Sequence, residues 1–172
     1  SITLSDLQNY FLNREKSMYQ VGTSEIHGFG LFASSSIKAE TPVTELLGEY
    51  LSHTEASERE KVYKSLGIVL KDIIGRPRGS IEHPRHMMYR IDHMWDLDAT
   101  KAGSCARFAN HSCSPNCAIQ PRTDPAGAVH LVLQTLKDVQ EGEELTFNYQ
   151  DLGALSGFTC SCKSTSCQNA TS

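Results

Sequence analysis

Apolar residues in this 172-residue chain fall mostly in short runs punctuated by glycine, proline and polar pairs, the pattern of short strands rather than long helices. The first stretch is the exception. Leu4, Leu7, Tyr10, Phe11 and Leu12 lie at roughly helical spacing behind Thr3 or Ser5 as N-cap, which predicts a flanking helix within residues 1–18. Residues 18–33, MYQVGTSEIHGFGLFA, read as strand, glycine turn, strand. TPVTELLGEYLS (41–52) is β-rich, and Gly48 inside it signals a bend or a close backbone approach. SHTEASEREKVYKSLG (52–67) predicts a short helix that Ser52 or Thr54 can cap and Gly67 ends. Gly75, Pro77, Gly79 and Pro84 make 67–85 a long loop or insertion. MMYRIDHMWDLDAT (87–100) predicts two short strands, and TKAGSCARFAN (100–110) a short helix. AVHLVLQTL (128–136) predicts a strand, and QEGEELTFNY (140–149) a turn and a strand ending in aromatics. Many short strands with three short helices make a mainly β (α+β) domain.

Composition narrows the partners. With 39% hydrophobic residues the chain can build one real core, and it is short for two domains of ordinary size. Lys and Arg number 16 against 20 Asp and Glu, a net charge of −4. That argues against direct nucleic-acid binding, which needs a basic face, and suits a cationic peptide. No apolar run is long enough for a membrane-spanning helix, and no signal peptide is visible. The chain opens at Ser1 rather than Met, so a fragment of something longer is expected.

Six cysteines stand at 105, 113, 117, 160, 162 and 167. The last three form C-x-C-x4-C, a poor disulfide unit but three good ligands for a tetrahedral zinc. The fourth ligand must come from upstream, and Cys113, Cys117 and His111 are the candidates. Cys105 reads as a small buried residue. Cys113 and Cys117 belong to RFANHSCSPNC (107–117), whose Asn-His pair beside cysteine fits a thiol nucleophile, a metal site or a polar-cofactor loop. A nucleophile needs an imidazole within reach, and His111 is only two residues from Cys113, so side chains need not meet. HGFG (27–30) is a glycine turn without the third glycine of a dinucleotide fingerprint. Phe147 and Tyr149 lie two apart, on one strand face, where aromatics are ordinarily core.

In chain order, HGFGLFA, ELLGEYLS, RFANHSCSPNC, GEELTFNY and CSCKSTSC resemble a SET domain with its post-SET zinc segment. That is the family of S-adenosylmethionine-dependent protein-lysine methyltransferases. The resemblance spans roughly residues 19–168, with YRIDHMWDLDAT most similar to the trithorax/MLL branch, RFANHS to the enhancer-of-zeste branch and ELTFNY to the Set2/NSD branch. It implies several small antiparallel sheets around a pseudoknot, and a SET domain over 19–150 followed by a zinc-binding segment over 151–172. It places His27, Gly28, Phe29, Gly30, Met87, Asn110 and His111 at the cofactor, and makes Tyr149 the catalytic tyrosine. Phe147 takes the position that limits the methylation state. Cys113, Cys160, Cys162 and Cys167 become the zinc ligands, with Cys117 left free.

The same resemblance implies a nuclear protein-lysine methyltransferase acting on a basic peptide, a histone tail, with regulatory protein subunits as partners and no membrane contact. Two positions depart from the family. Leu46 and Met87 stand where relatives often carry channel tyrosines. Tyr50 and Tyr89, expected on the same strand faces, are the candidates to compensate. The departures also support a second reading, a catalytically weak SET module that binds peptide or scaffolds a chromatin complex.

Overall fold

The structure is a computed structural model that describes residues 18–26, 28–66, 88–100, 103–152 and 164–167. The helix expected near the start and the loop expected over 67–85 lie outside the described residues. Within them are ten strands in three small sheets, one α-helix and two short 3-10 turns, the mainly β architecture the hydrophobic pattern predicts.

The first sheet has the order β1 (Tyr19–Thr23), β2 (Phe29–Ala33), β10 (Glu144–Phe147), β7 (Asn110–His111). β1 and β2 form the predicted hairpin, closed by the Ser24 N–H donating to the Gly28 carbonyl at 2.8 Å. Gly28 sits at φ +48°, a left-handed conformation that glycine adopts at no steric cost. β10 runs antiparallel to β2 and parallel to β7. It thereby joins three motifs that lie far apart in the sequence.

The second sheet has the order β3 (Pro42–Glu45), β9 (Val129–Thr135), β8 (Cys117–Thr123). β8 is not among the predicted elements. Pro121 interrupts it, and a proline is tolerated there because β8 is an edge strand and needs no donor on its outer side. The third sheet has the order β4 (Glu49–Ser52), β6 (Trp95–Asp98), β5 (Met88–Arg90). Gly48 separates β3 from β4. A Cβ there would lie 2.5 Å from the Asp98 carbonyl oxygen, so the bend requires the absence of a side chain. Leu46 and Tyr50 consequently do not share a strand, contrary to the expectation above. Leu46 is buried beside the second sheet, its N–H donating to the Leu131 carbonyl at 2.7 Å, whereas Tyr50 is half exposed on the third.

The helix α1 (His53–Leu66) packs on the third sheet. Ser52 caps it reciprocally: Ser52 Oγ accepts from the Glu55 N–H at 3.3 Å, and Glu55 Oε2 accepts from the Ser52 N–H at 2.9 Å. Met88, Leu51, Ala56 and Tyr63 form a small apolar cluster between helix and sheet. Beside it, Asp98 is a buried carboxylate with three donors: Tyr63 Oη at 2.6 Å, Arg59 at 3.2 Å and the Thr100 N–H at 2.9 Å. Arg59 also pairs with Glu49. The main core lies between the sheets and includes Leu31, Leu97, Leu133, Leu145 and Phe147. Among the described residues no helix is long and apolar enough to cross a membrane.

Candidate functional site

Parallel pairing of β7 with β10 sets Thr146 opposite Asn110 and Phe147 opposite His111. Strand alternation then sorts the side chains onto two faces. Phe147, Leu145 and Leu31 point into the core, and Asn110, Thr146 and Glu144 share the other face. Asn116 holds β10 from the side. Its Nδ2 donates to the Glu144 carbonyl at 2.8 Å, and its Oδ1 accepts from the Thr146 N–H at 2.9 Å. A side-chain amide thus stands in for a neighbouring strand.

On the polar face, Asn110 Nδ2 donates to the Phe29 carbonyl at 2.9 Å and to Glu144 Oε1 at 2.7 Å. Ser24 Oγ lies 2.8 and 2.9 Å from the two Glu144 carboxylate oxygens, its single proton shared between them. A Cβ on Gly30 would stand 2.2 Å from Glu144 Oε1. The second glycine of HGFG is therefore the seat of a part-buried carboxylate arm. This acceptor-rich group of carboxylate, carbonyl and oriented amide suits a ligand that presents positive charge and N–H donors.

On the core face, three aromatic rings converge. Phe147 and Tyr149 have centroids 4.9 Å apart at 47°, and Tyr89 lies 6.2 Å from Phe147 and 6.0 Å from Tyr149. All three are buried. Tyr149 Oη donates to the Ala109 carbonyl at 3.0 Å. A hydroxyl whose proton is committed in that way meets an amine only as an acceptor. Tyr89 extends this aromatic wall, while Met87 lies outside the described residues.

His111 connects the aromatic wall to the cysteines. Its Nδ1 accepts the Tyr149 N–H at 3.1 Å, and its ring meets the Tyr149 ring edge-on with centroids 5.3 Å apart. Burial lowers its pKa, against a smaller opposing effect from Asp151. The neutral ring with Nδ1 accepting carries its proton on Nε2, which faces the Cys113 sulfur at 3.2 Å. Cys113 Sγ is in turn 3.8 Å from Cys167 Sγ. A disulfide holds its sulfurs at about 2.05 Å, whereas two thiolates each about 2.3 Å from one tetrahedral zinc stand about 3.8 Å apart. The spacing and the soft donor pair fit that metal, with the His111 Nε2–H as an outer donor to a ligating sulfur. Cys117 is in a different environment: it opens β8 in the core, and burial pushes its thiol up to about 12. His27, Cys160 and Cys162 lie outside the described residues, and among those described no group of three or more metal-ligating side chains occurs.

Sequence reasoning missed Glu144 and Asn116. Glu144 carries a signal in hindsight, since it lies two residues before Thr146 on the strand that feeds Phe147 and Tyr149, and strand alternation puts it on one face with Thr146. Asn116 has none, because its partners are backbone atoms of a strand 28 residues away or more.

The sequence profile described as "SET domain" matches residues 28–150. The chain is 35% identical over 153 residues to the Caenorhabditis elegans protein named histone-lysine N-methyltransferase set-2, covering 86% of this chain and 9% of that one. It is 34% identical over 161 residues to an Aspergillus oryzae protein named histone-lysine N-methyltransferase, H3 lysine-4 specific, covering 91% and 12%. It is also 35% identical over 153 residues to Drosophila virilis histone-lysine N-methyltransferase trithorax, covering 89% and 4%. The chain thus spans a small part of the length of the curated relatives it matches.

Proposed function

Because the chain belongs to the SET-domain family, we propose that it is an S-adenosylmethionine-dependent protein-lysine N-methyltransferase acting on a histone tail in the nucleus. The observation that carries this reading is the adjacency of two environments across one strand. An acceptor-rich cluster at Asn110 and Glu144 lies on one face of β10, and a buried aromatic wall at Phe147 and Tyr149 lies on the other.

S-adenosylmethionine supplies an electrophilic methyl group on a sulfonium. Asn110, with the backbone of Gly28, Phe29, Gly30 and His111, forms the shelf for its amino-acid portion and adenine, together with His27 and Met87. Tyr149 accepts a hydrogen bond from the substrate amine and so turns the nitrogen lone pair toward the methyl. Orientation of this kind supplies much of the rate in a displacement that needs three atoms in line. A lysine ammonium has no lone pair to attack with. The buried rings of Tyr89, Phe147 and Tyr149 disfavour the charged form and so promote the neutral amine. Phe147 brings no hydroxyl to the end of this wall, which leaves volume for an amine already carrying methyl groups. Di- or trimethylation is the expected product.

Cys113, Cys160, Cys162 and Cys167 would hold one structural zinc, organising residues 151–172 as a segment that completes the sites formed by 19–150. Regulatory protein subunits are the further partners. The deciding experiment is transfer of a labelled methyl group from S-adenosylmethionine to a panel of histones and histone peptides. Label in one lysine supports the reading. Absence of label in every substrate, from a folded chain that binds the cofactor, refutes it and favours a peptide-binding module.

A further inference from the structure

The Glu144 carboxylate does something the motif does not announce. It accepts from Asn110 Nδ2 at 2.7 Å, and the Phe29 carbonyl accepts from the same nitrogen at 2.9 Å. Both partners are acceptors only, so the amide has one permitted orientation: nitrogen toward Glu144 and Phe29, Oδ1 turned away from them. Without the carboxylate, the flipped amide would lose far less. The carboxylate is itself fixed by Ser24 Oγ at 2.8 and 2.9 Å, and Ser24 Oγ accepts from the Ile26 N–H at 2.9 Å. Ser24 and Asn110 are neutral donors, so neither cancels the carboxylate charge. The arm reaches this place only because residue 30 has no Cβ.

We propose that Glu144 is a positioning residue that sets the Asn110 amide with its oxygen toward the α-ammonium of the cofactor and adds its own negative charge to the site. This rests on Asn110 being the cofactor contact. The consequence is selectivity for the amino-acid portion. A ligand bearing an ammonium gains from an oriented amide oxygen and a nearby carboxylate, and a ligand lacking that portion gains from neither.

The test compares two ligands that undergo no turnover. S-adenosylhomocysteine has the amino-acid portion, and 5′-methylthioadenosine is the same kind of nucleoside thioether without it. In calorimetry on the whole chain, Glu144→Ala is expected to weaken S-adenosylhomocysteine about tenfold or more, the scale of one charge-assisted hydrogen bond. Affinity for 5′-methylthioadenosine should stay within about twofold. Glu144→Gln keeps an acceptor for Asn110 and should lose less than Glu144→Ala. If both ligands weaken together, Glu144 only supports the fold, and if neither weakens, it has no positioning role; either result overturns the proposal. Should Glu144→Ala fail to fold, Ser24→Ala carries the same comparison, because it removes the hydroxyl that fixes the Glu144 carboxylate while keeping Glu144 itself. Asn110→Ala separates the two levels. Unchanged S-adenosylhomocysteine affinity in Asn110→Ala removes the cofactor shelf itself. Lost affinity there with unchanged affinity in Glu144→Ala removes only the role of Glu144.

Discussion

The backbone N–H of Tyr149 donates to Nδ1 of His111 at 3.1 Å, and this one bond fixes the proton of His111 on the nitrogen that faces Cys113. The aromatic wall and the cysteine pair are thereby tied through a single imidazole. A disturbance at the cysteines reaches Tyr149 through two contacts.

The cysteine geometry gives the first prediction. Metal analysis of the purified chain should return one equivalent of zinc. Cys113→Ser should lower that occupancy, because its sulfur stands 3.8 Å from Cys167 Sγ. Cys117→Ser should leave it unchanged, since that thiol is enclosed in the core. The opposite pattern would show that the fourth ligand is Cys117.

Asn110→Ala should abolish cofactor binding. The substitution removes the amide that Glu144 and the Phe29 carbonyl hold in place, and leaves a carboxylate without that donor. Calorimetry on a folded Asn110→Ala protein with wild-type affinity would contradict this.

Phe147→Tyr should shift the product toward monomethyl-lysine. Phe147 is fully buried between Tyr89 and Tyr149, so an added hydroxyl takes volume at the end of the aromatic wall and can bind the amine or a water. Mass spectrometry of a reacted peptide under excess cofactor reads the outcome. A change in stability with an unaltered product distribution would mean that Phe147 is only a core ring.

Tyr63→Phe should cost about 1.5–3 kcal/mol, the range for a hydrogen bond to a charged group. Its hydroxyl donates to the buried Asp98 carboxylate at 2.6 Å. Asp98→Ala should cost more, since it also removes the acceptor of the Thr100 N–H and one of the two carboxylate partners of Arg59. Urea denaturation of the three proteins measures the order. Equal stability of Tyr63→Phe and wild type would mean that Arg59 and Thr100 suffice for Asp98.

His130 supplies a pH signature. Its Nε2 lies 3.0 Å from Asp124 and its Nδ1 2.8 Å from Glu45, so both ring nitrogens face carboxylates and the imidazolium is favoured. The hydrogen bond to Asp124 chiefly raises its pKa, against burial and with help from Glu45. A raised folded-state value stabilises fully below the ordinary 6.5 and is lost as pH rises through the folded value. Asp124 is lowered from 3.8, chiefly by the His130 hydrogen bond, so its contribution disappears as pH falls below that range. The melting-temperature gap between wild type and His130→Gln should therefore be widest near pH 5–6 and shrink toward alkaline pH. A gap that does not vary with pH would assign His130 to packing alone.

The residues by themselves determined the local elements and the chemistry on offer. The β1–β2 hairpin, α1 with its cap at Ser52 or Thr54, β9 and the turn into β10 depend on side-chain period and turn residues close in sequence, so they were legible. So was the set of donors in RFANHSCSPNC and CSCKSTSC. What only the tertiary structure decided is where non-local strands meet. Nothing in HGFG or GEELTFNY states that Gly30 leaves room for the carboxylate of Glu144, because that contact exists only once β10 pairs with β2. Cys113 and Cys117 are four residues apart and chemically alike. They part company because Cys117 opens a strand that turns its thiol into the core, while Cys113 precedes that strand and faces Cys167. Leu46 and Tyr50 read as one strand until the contact of Gly48 with the Asp98 backbone bends the chain between them. In each case the side chain's environment is set by strand register and by which backbone approaches, and register is a property of the partner strand, so no local window of sequence contains it.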